Sequence, residues 1–335
     1  MADTYTRVKD VVVNITTAGL SGNVGLGIPL VLASKATSDV AYTEVAELSE
    51  VVTAGFSTDT NVYKACEVIM SQNDRPATVA VCATTETATD WLTANNDKGY
   101  RQIIPLLAAE GDSTLGDVAT AVNTLEGKML FGTVSNKDEL PATQSDKVVM
   151  VVYGGESKHV NAAVVGATAG LAVGSFTYKN IKLVGVEPED KSVGEVKAIH
   201  DAGAICILKK AGDVVTSEGK TTSGEYIDVV DSTHYIISNI TYKAQKLLND
   251  SPKLSFDNIG ITQLENVVTN VLADAYGLGI IATNDNGTPA YSTSFATRAE
   301  TSAADRADRH YKGGKFTFDL AGAIHNATIN GTLNI

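Results

Sequence analysis

Residues 148–153 read Val148-Val149-Met150-Val151-Val152-Tyr153, six positions without one charged or amide side chain. A half-exposed strand alternates apolar and polar residues. A strand with no polar face has to be covered on both sides. Cover on both sides is what helices give a mostly parallel sheet, so this run constrains the body of the chain to α/β layering.

The neighbouring segments agree with that constraint. Residues 28–33 read as an apolar strand. Residues 43–55 read as a helix, with Leu48, Val51 and Val52 at helical spacing and Gly55 suited to a C-cap. The helical pattern returns at 61–72 through Val62, Ala65, Cys66 and Ile69, and 78–83, bounded by Pro76, reads as a buried strand. Helices are expected at 90–99, anchored by Trp91, at 114–125, and at 160–173, an Ala- and Gly-rich stretch that should pack closely. Residues 101–107 read as a strand. Residues 181–186, 193–202 and 204–208 form a further strand-helix-strand unit.

After Ala211 the texture changes. Residues 219–224 (GKTTSG) read as a polar turn between hydrophobic strands, with β-rich stretches at 226–230 and 235–240 broken at Asp231-Ser232-Thr233. Residues 263–277 are amphipathic, with Leu264, Val267, Val268, Val271 and Leu272 on one stripe. Residues 298–315 are dense in charge.

Both ends are strand-like. In residues 8–16, Val11, Val13 and Ile15 share one face and Asn14 and Thr16 the other. In residues 323–335, Asn326, Thr328, Asn330, Thr332 and Asn334 alternate with Ala327, Ile329, Gly331, Leu333 and Ile335. The first segment is joined through a stretch with glycines at 19, 22, 25 and 27, and the last follows the charged run. A terminal strand without a partner exposes unpaired backbone groups. Donated to a neighbour's sheet, it gains main-chain hydrogen bonds and side-chain pockets together. The expected division is an N-terminal arm at 1–22, an α/β domain at 23–85, a middle α/β domain at 86–232, a mixed C-terminal assembly domain at 233–322 and a C-terminal strand arm at 323–335.

The remaining composition excludes several functions. The chain has 335 residues, 44% hydrophobic, and a net charge of −13. That acidity repels phosphate backbones and anionic lipid, so neither nucleic-acid binding nor membrane insertion is expected. The first residues carry no basic stretch followed by an apolar run, which points to synthesis in the cytoplasm. Cys66, Cys82 and Cys206 lie far apart in apolar stretches and read as buried thiols. The five histidines show no metal-ligand spacing. GKTT at 219–222 resembles part of a phosphate loop, but Val214 stands where a Walker motif needs glycine. The glycine-rich stretch holds no GxGxxG and precedes a strand. No GxSxG elbow is present. His325 beside Asn326 and Asp305 near His310 read as surface or interface groups. No cofactor is expected, and the reading is not that of an enzyme.

The C-terminal third carries a family resemblance. Ala304-Asp305-Arg306, then Arg309, Phe316-Thr317-Phe318, Gly322-Ala323-Ile324-His325 and Ile329-Asn330-Gly331-Thr332-Leu333 resemble the end of contractile-tail sheath proteins. The 42–65 region, residues 167–186, and Gly224-Glu225-Tyr226-Ile227-Asp228 with His234-Tyr235-Ile236 are similar in order to earlier parts of that family. The resemblance implies a structural subunit that polymerises as stacked hexameric rings around a tail tube and contracts to drive the tube through a cell envelope. It implies terminal arms reaching into neighbouring subunits, here Val11, Val13 and Ile15 at one end and Ile324, Ile329, Leu333 and Ile335 at the other. Arm hinges map to Gly22, Gly25, Gly27, Gly313 and Gly314. Ionic contacts to the tube or to other subunits map to Arg298, Asp305, Arg306, Asp308, Arg309, Lys312 and Lys315. The partners implied are further copies of the chain, the tail tube protein, and baseplate and tail-terminator proteins, within a virion or phage-tail-like particle made in a bacterial host. An α/β enzyme with an unrecognised nucleotide or small-molecule site and another self-assembling shell protein are the alternatives. The first calls for a pocket with convergent titratable groups, and the second for sheets or shells in place of hollow tubes.

Overall fold

The structure, a computed structural model, describes residues 27–326. In chain order its elements are β1 (Ile28–Ala33), β2 (Val40–Val45), α1 (Leu48–Thr53), α2 (Asn61–Met70), β3 (Val79–Ala83), α3 (Ala88–Ala94), β4 (Tyr100–Leu106), α4 (Leu115–Thr124), β5 (Met129–Val134), β6 (Val148–Val152), α5 (Val160–Thr168), α6 (Val193–Asp201), β7 (Ile207–Lys210), β8 (Asp213–Thr216), α7 (Ile227–Asp250), α8 (Asn258–Gly277), β9 (Tyr291–Phe295), α9 (Ala303–Ala307) and β10 (Gly314–Phe318).

The apolar run at 148–153 forms β6, an outer member of a six-stranded sheet ordered β2-β3-β1-β4-β5-β6. Every pairing is parallel except that of β2 with β3, which places an antiparallel strand at one edge. Side chains alternate between two cores. Val31, Val81, Ile104, Phe131, Val149 and Val151 face α1, α2 and α5. Leu30, Leu32, Cys82, Ile103, Leu130, Val148 and Met150 face α3, α4 and α6. The α/β layering is as expected. Because β1 pairs with both β3 and β4, the expected boundary at 85/86 falls inside one sheet.

Local chemistry sets the helix starts. Thr114 and Asp117 form a capping box on α4, as Ser192 and Glu195 do on α6, each satisfying otherwise orphaned N–H groups. The Ala- and Gly-rich helix α5 is buried at every position and packs directly on α2. A Cβ at Gly166 would lie 2.7 Å from the Ile69 backbone. In β5, a Cβ at Gly132 would lie 2.8 Å from Met150 Sδ, so the glycine leaves room for the neighbouring strand's methionine.

Several sequence expectations are corrected. Residues 43–45 belong to β2, since Thr43 and Glu44 pair with Val81 and Ala80; only the second half of the expected 43–55 helix is helical. Strand β5 is additional; Gly132 and Thr133 interrupt its apolar run. Residues 181–186 make no named strand. They touch β8 through the Lys182–Val215 bridge and the bond from Leu183 N–H to the Val214 carbonyl. The strand expected at 204–208 begins at Ile207, while Ile205 bridges β6. The β-rich stretches at 226–230 and 235–240 are one helix, α7, of 24 residues. Asp231, the supposed turn, points into the protein. Ile227, Asp231, His234 and Ser238 fall at i, i+4, i+7 and i+11 and are all buried, so burial on one helical face overrides the β-propensity of the isoleucines. The charge-dense 298–315 stretch folds into a 3-10 turn, α9 and the start of β10.

Helix α7 joins two layers. Its first turns lie on the sheet; beyond them Ile236 and Ile240 meet Val268, Val271, Leu272 and Ala275 of α8 in a third core. Phe295, Phe316 and Phe318 of the antiparallel pair β9–β10 pack against that core. At the junction, Arg101 of β4 donates from Nη2 to Asp231 Oδ1 at 2.5 Å, with both side chains 3% exposed. The Tyr178 hydroxyl donates to Asp231 Oδ2 at 2.8 Å, and Arg101 Nη1 donates to the Gly127 carbonyl at 3.1 Å.

Removing one partner of a buried pair leaves the other charged and desolvated. Asp231→Ala should therefore cost about 3–5 kcal/mol in urea denaturation, and Arg101→Met with Asp231→Leu together should cost less than Asp231→Ala alone. Gly166→Ala should cost about 1–3 kcal/mol by overpacking α5 on α2. A Gly166→Ala loss within error of zero would show that α5 moves aside freely.

Candidate assembly surface

The β9–β10 pair is the centre of this surface. Register runs from Gly314 opposite Phe295 to Phe318 opposite Tyr291. Among the described residues neither strand pairs with any other, so each presents an open edge. Alternation splits the pair into two faces. Phe316 and Phe318 stack with ring centroids 6.2 Å apart and lean on α8, whereas Lys315 and Thr317 are exposed.

The charged residues expected at an interface divide into two groups. Arg298 and Arg306 serve the local fold. Arg298 Nε donates to the Phe256 carbonyl at 3.1 Å, and its N–H donates to Asn258 Oδ1 at 2.9 Å. Arg306 Nη1 donates to the Arg298 carbonyl at 3.1 Å and also to the Thr301 carbonyl. Ser302 caps α9, accepting from the Asp305 N–H and donating to its carboxylate, and that carboxylate pairs with Lys312 at 2.7 Å. The Lys312 ammonium and the Ser302 hydroxyl hold the Asp305 carboxyl below the usual carboxylate range. Asp308, Arg309 and Lys315 are exposed and make no ion pair among the described residues. The alternating-sign run is thus partly internal wiring, and its outward charge is Asp308, Arg309 and Lys315.

The glycines fall out similarly. Gly27 has φ +84°, and a Cβ there would lie 2.9 Å from the Gly99 carbonyl, so the position suits glycine where β1 begins. Gly314 is the first residue of β10, and the Gly313 carbonyl accepts from the Ala296 N–H, so both belong to the ladder. Gly22, Gly25, Val11, Val13 and Ile15 lie outside the described residues, as do Ile329, Leu333 and Ile335.

The C-terminal segment returns to the body. Leu320 bridges Ile281 in the third layer, and five residues later His325 sits edge-on against Tyr226, centroids 4.9 Å apart at 89°. His325 Nδ1 is 3.6 Å from Glu218 Oε1. Residues 321–326 are without strand structure, and Ile324 is 90% exposed. The C-terminal strand pattern expected from 323 therefore does not begin before 327. Glu218 is opposed by its own burial, which the Gly219 N–H and the Lys179 ammonium outweigh, so its carboxyl titrates below its ordinary range. Beside these residues lies a cleft of about 520 Å3. Its polar groups are engaged with one another: Lys210 Nζ donates to Asn180 Oδ1, Lys179 pairs with Glu218, and His200 Nε2 shares a 2.8 Å hydrogen bond with the Ser217 hydroxyl.

The enzyme-like motifs resolve into structure. Around GKTT, the Thr221 N–H donates to the Glu225 carbonyl within the turn and the Thr222 N–H to the Val148 carbonyl of β6, so neither amide is free for a phosphate. Thr222 Oγ1 bonds the Thr143 and Ser145 carbonyls, and Lys220 Nζ lies 4.6 Å over the Tyr226 ring. Burial pushes the Cys66 thiol up to about 12 and the Cys82 thiol to about 11, away from thiolate chemistry. No group of three His, Cys, Asp or Glu among the described residues is placed to hold a metal, and no described helix is long and apolar enough to cross a membrane. Arg101, Tyr178 and Asp231 were not singled out in the sequence. The available signal was the i, i+4, i+7 spacing from Ile227 through Asp231 to His234.

No sequence family matches the chain, and no curated protein does. Solved structures do. A chain from the baseplate of the anti-feeding prophage, six-fold symmetrised, is similar with a TM-score of 0.73 at 16% identity, covering 97% of this chain and 98% of that one. A chain of the sheath complex of an extracellular contractile injection system in the contracted state gives 0.71 at 11% identity, covering 100% and 99%. A sheath tail protein from Listeria innocua gives 0.59 at 11% identity, covering 84% and 90%. Likeness of this extent at such identity is a statement about architecture, and the architecture of this chain is the fold of contractile-tail sheath proteins.

Proposed function

We propose that this chain is the structural subunit of a contractile sheath and has no catalytic role. The observation that carries the reading is the fold likeness along essentially the whole chain, which extends to a helical sheath in the contracted state. The open-edged β9–β10 pair supports it. Such a pair is the natural acceptor for an extended segment of another copy, because each edge offers unpaired N–H and C=O groups. Residues 8–16, through Val11, Val13 and Ile15, and the C-terminal segment, through Ile324, Ile329, Leu333 and Ile335, are the strands to be donated. Head-to-tail donation that does not close on itself builds a helical stack. The stack surrounds a tail tube, and baseplate and terminator proteins close its ends, within a virion or phage-tail-like particle.

Asp308, Arg309 and Lys315 supply the outward ionic contacts, to the tube or to the next subunit. Singly each contact gives only ~0–1 kcal/mol; repeated around a ring, such contacts set register. The N-terminal pivot is assigned to Gly22 and Gly25, upstream of the enclosed Gly27. The C-terminal pivot moves to residues 321–323, beyond the ladder that holds Gly313 and Gly314. The domain division fits best when residues 27–226 are one α/β body and α7 carries the remainder.

Removing residues 324–335 should leave a folded, soluble chain, by circular dichroism and size-exclusion chromatography, that forms no tubes in negative-stain electron microscopy. Tubes from the truncated chain would defeat the arm assignment. Arg309→Glu with Lys315→Glu should keep the fold and lower the salt concentration at which assembled particles dissociate; an unchanged salt midpoint would remove these residues from the interface.

A further inference from the structure

Helix α7 buries a polar stripe against the sheet. Asp231, His234 and Ser238 follow one another on the same face, each less than one-tenth exposed. Arg101 and Tyr178 occupy Asp231. His234 is differently placed. Its Nε2 is 3.5 Å from Ser238 Oγ, the outer limit of a hydrogen bond, and its Nδ1 is buried with no partner among the described residues. The charges facing it are cations from three separate elements: Arg101 on β4, Lys128 just before β5, and Lys147 just before β6. Lys128 is itself fixed, donating to the Lys98 and Tyr100 carbonyls at 2.6 and 2.7 Å. Asp146 and Glu126 act on Lys147. On α7 itself Asp231 is already paired, and Asp228 has its carboxyl raised by burial.

We infer that His234 is a proton-sensitive latch in the seam between α7 and the sheet. Neutral, its ring fills the space beside Arg101. Protonated, it adds a further positive charge beside buried Arg101 and Lys128 and half-buried Lys147, while Asp231, the carboxylate bonded at this seam, is committed to Arg101 and Tyr178. Helix α7 then has to lift for the charge to reach water. Because α7 carries α8 and the β9–β10 pair, lifting it loosens the whole third layer. The inference stands on the seam alone and is independent of the sheath reading.

The direction follows from linkage. Burial first, and the three cations second, hold the native imidazole well below the ordinary histidine range. An opened α7 exposes an ordinary histidine, near 6.5. Between these two values the open state binds a proton that the closed state refuses, so stability rises with pH and is lost as pH falls below about 6.5. If the closed state takes up no proton, the opening equilibrium of α7 grows about 30-fold from pH 7.5 to pH 5.0. Asp228 works in the opposite direction, since a raised carboxylate is relieved by acid.

The test is hydrogen–deuterium exchange by mass spectrometry on the full chain at pH 7.5 and 5.0, corrected for intrinsic exchange, in the native protein and in His234→Gln. Peptides covering α7 should lose protection by roughly 10- to 30-fold in the native chain, and by less than threefold in His234→Gln, which keeps Asp228, His159 and His200 as internal controls. His234→Lys should be unprotected over α7 at both pH values. Equal acid sensitivity in the native chain and His234→Gln overturns the inference, as does an α7 that stays protected at pH 5.0. If His234→Gln does not fold, histidine-selective NMR of the native chain decides: a His234 ring neutral down to pH 5 in the folded state supports the latch, and one that titrates near 6.5 without loss of structure overturns it.

Discussion

Arg101 and Asp231 meet 2.5 Å apart where neither side chain is more than 3% exposed, and they are 130 residues apart in the chain. Removing both from water costs several kcal/mol per ion, which the attraction between them offsets only with good geometry and further hydrogen bonds. Those bonds come from the Tyr178 hydroxyl to Asp231 and from Arg101 to the Gly127 carbonyl. What the pair supplies is position. An apolar seam between helix and sheet tolerates sliding, since one isoleucine packs much like another. A charged pair 2.5 Å long with directional donors fixes the rotation of α7 about its axis and its height on β4.

Everything C-terminal inherits that fix. Helix α7 has 24 residues, a rod of about 36 Å. Its early turns rest on the sheet, and its later turns belong to the third core with α8 and the β9–β10 pair. The third layer also meets the body at Val173 and Gly174, which pack on Ile280 and the end of α8, and through segment 321–326, with His325 on Tyr226 and beside Glu218. The open edges of β9 and β10 are therefore held relative to the sheet by helix α7, by the Val173–Gly174 contact and by the returning segment 321–326. On the proposed reading this rigidity matters, because small angular errors at one interface grow along a stack.

The sheet was legible in the sequence because its signals are redundant. Four of the six strands, β1, β3, β4 and β6, are apolar runs that read as strands, and α2, α3 and α4 carry threonine caps and buried apolar faces. Legibility failed where burial and propensity disagree. Helix α7 is rich in isoleucine, valine and threonine, and its Asp231-Ser232-Thr233 triplet reads locally as a turn. The triplet is helical because Asp231 is claimed by an arginine 130 residues away, which no local window contains. The same holds for the charged 298–315 run. By sequence all of its arginines are equivalent surface cations; in the structure Arg298 and Arg306 are consumed by backbone carbonyls, and Arg309 is left outward.

The open edges of β9 and β10 also explain why a lone chain need not aggregate. Each strand is only five residues long, and Lys315 places a charge on the exposed face. Short, charged edges are poor templates for chance pairing. A donated strand opposite five residues makes about five backbone hydrogen bonds, each of net value near 1 kcal/mol. Ordering the donor costs about 1–2 kcal/mol for each residue fixed, so backbone pairing alone comes out near zero or below. On the proposed reading, the balance is tipped by apolar anchors such as Val11, Val13 and Ile15, worth roughly 1.5–3 kcal/mol apiece when fully buried. On that reading, pairing of bare edges is negligible and association depends on burying those anchors, which keeps a lone chain from pairing by chance.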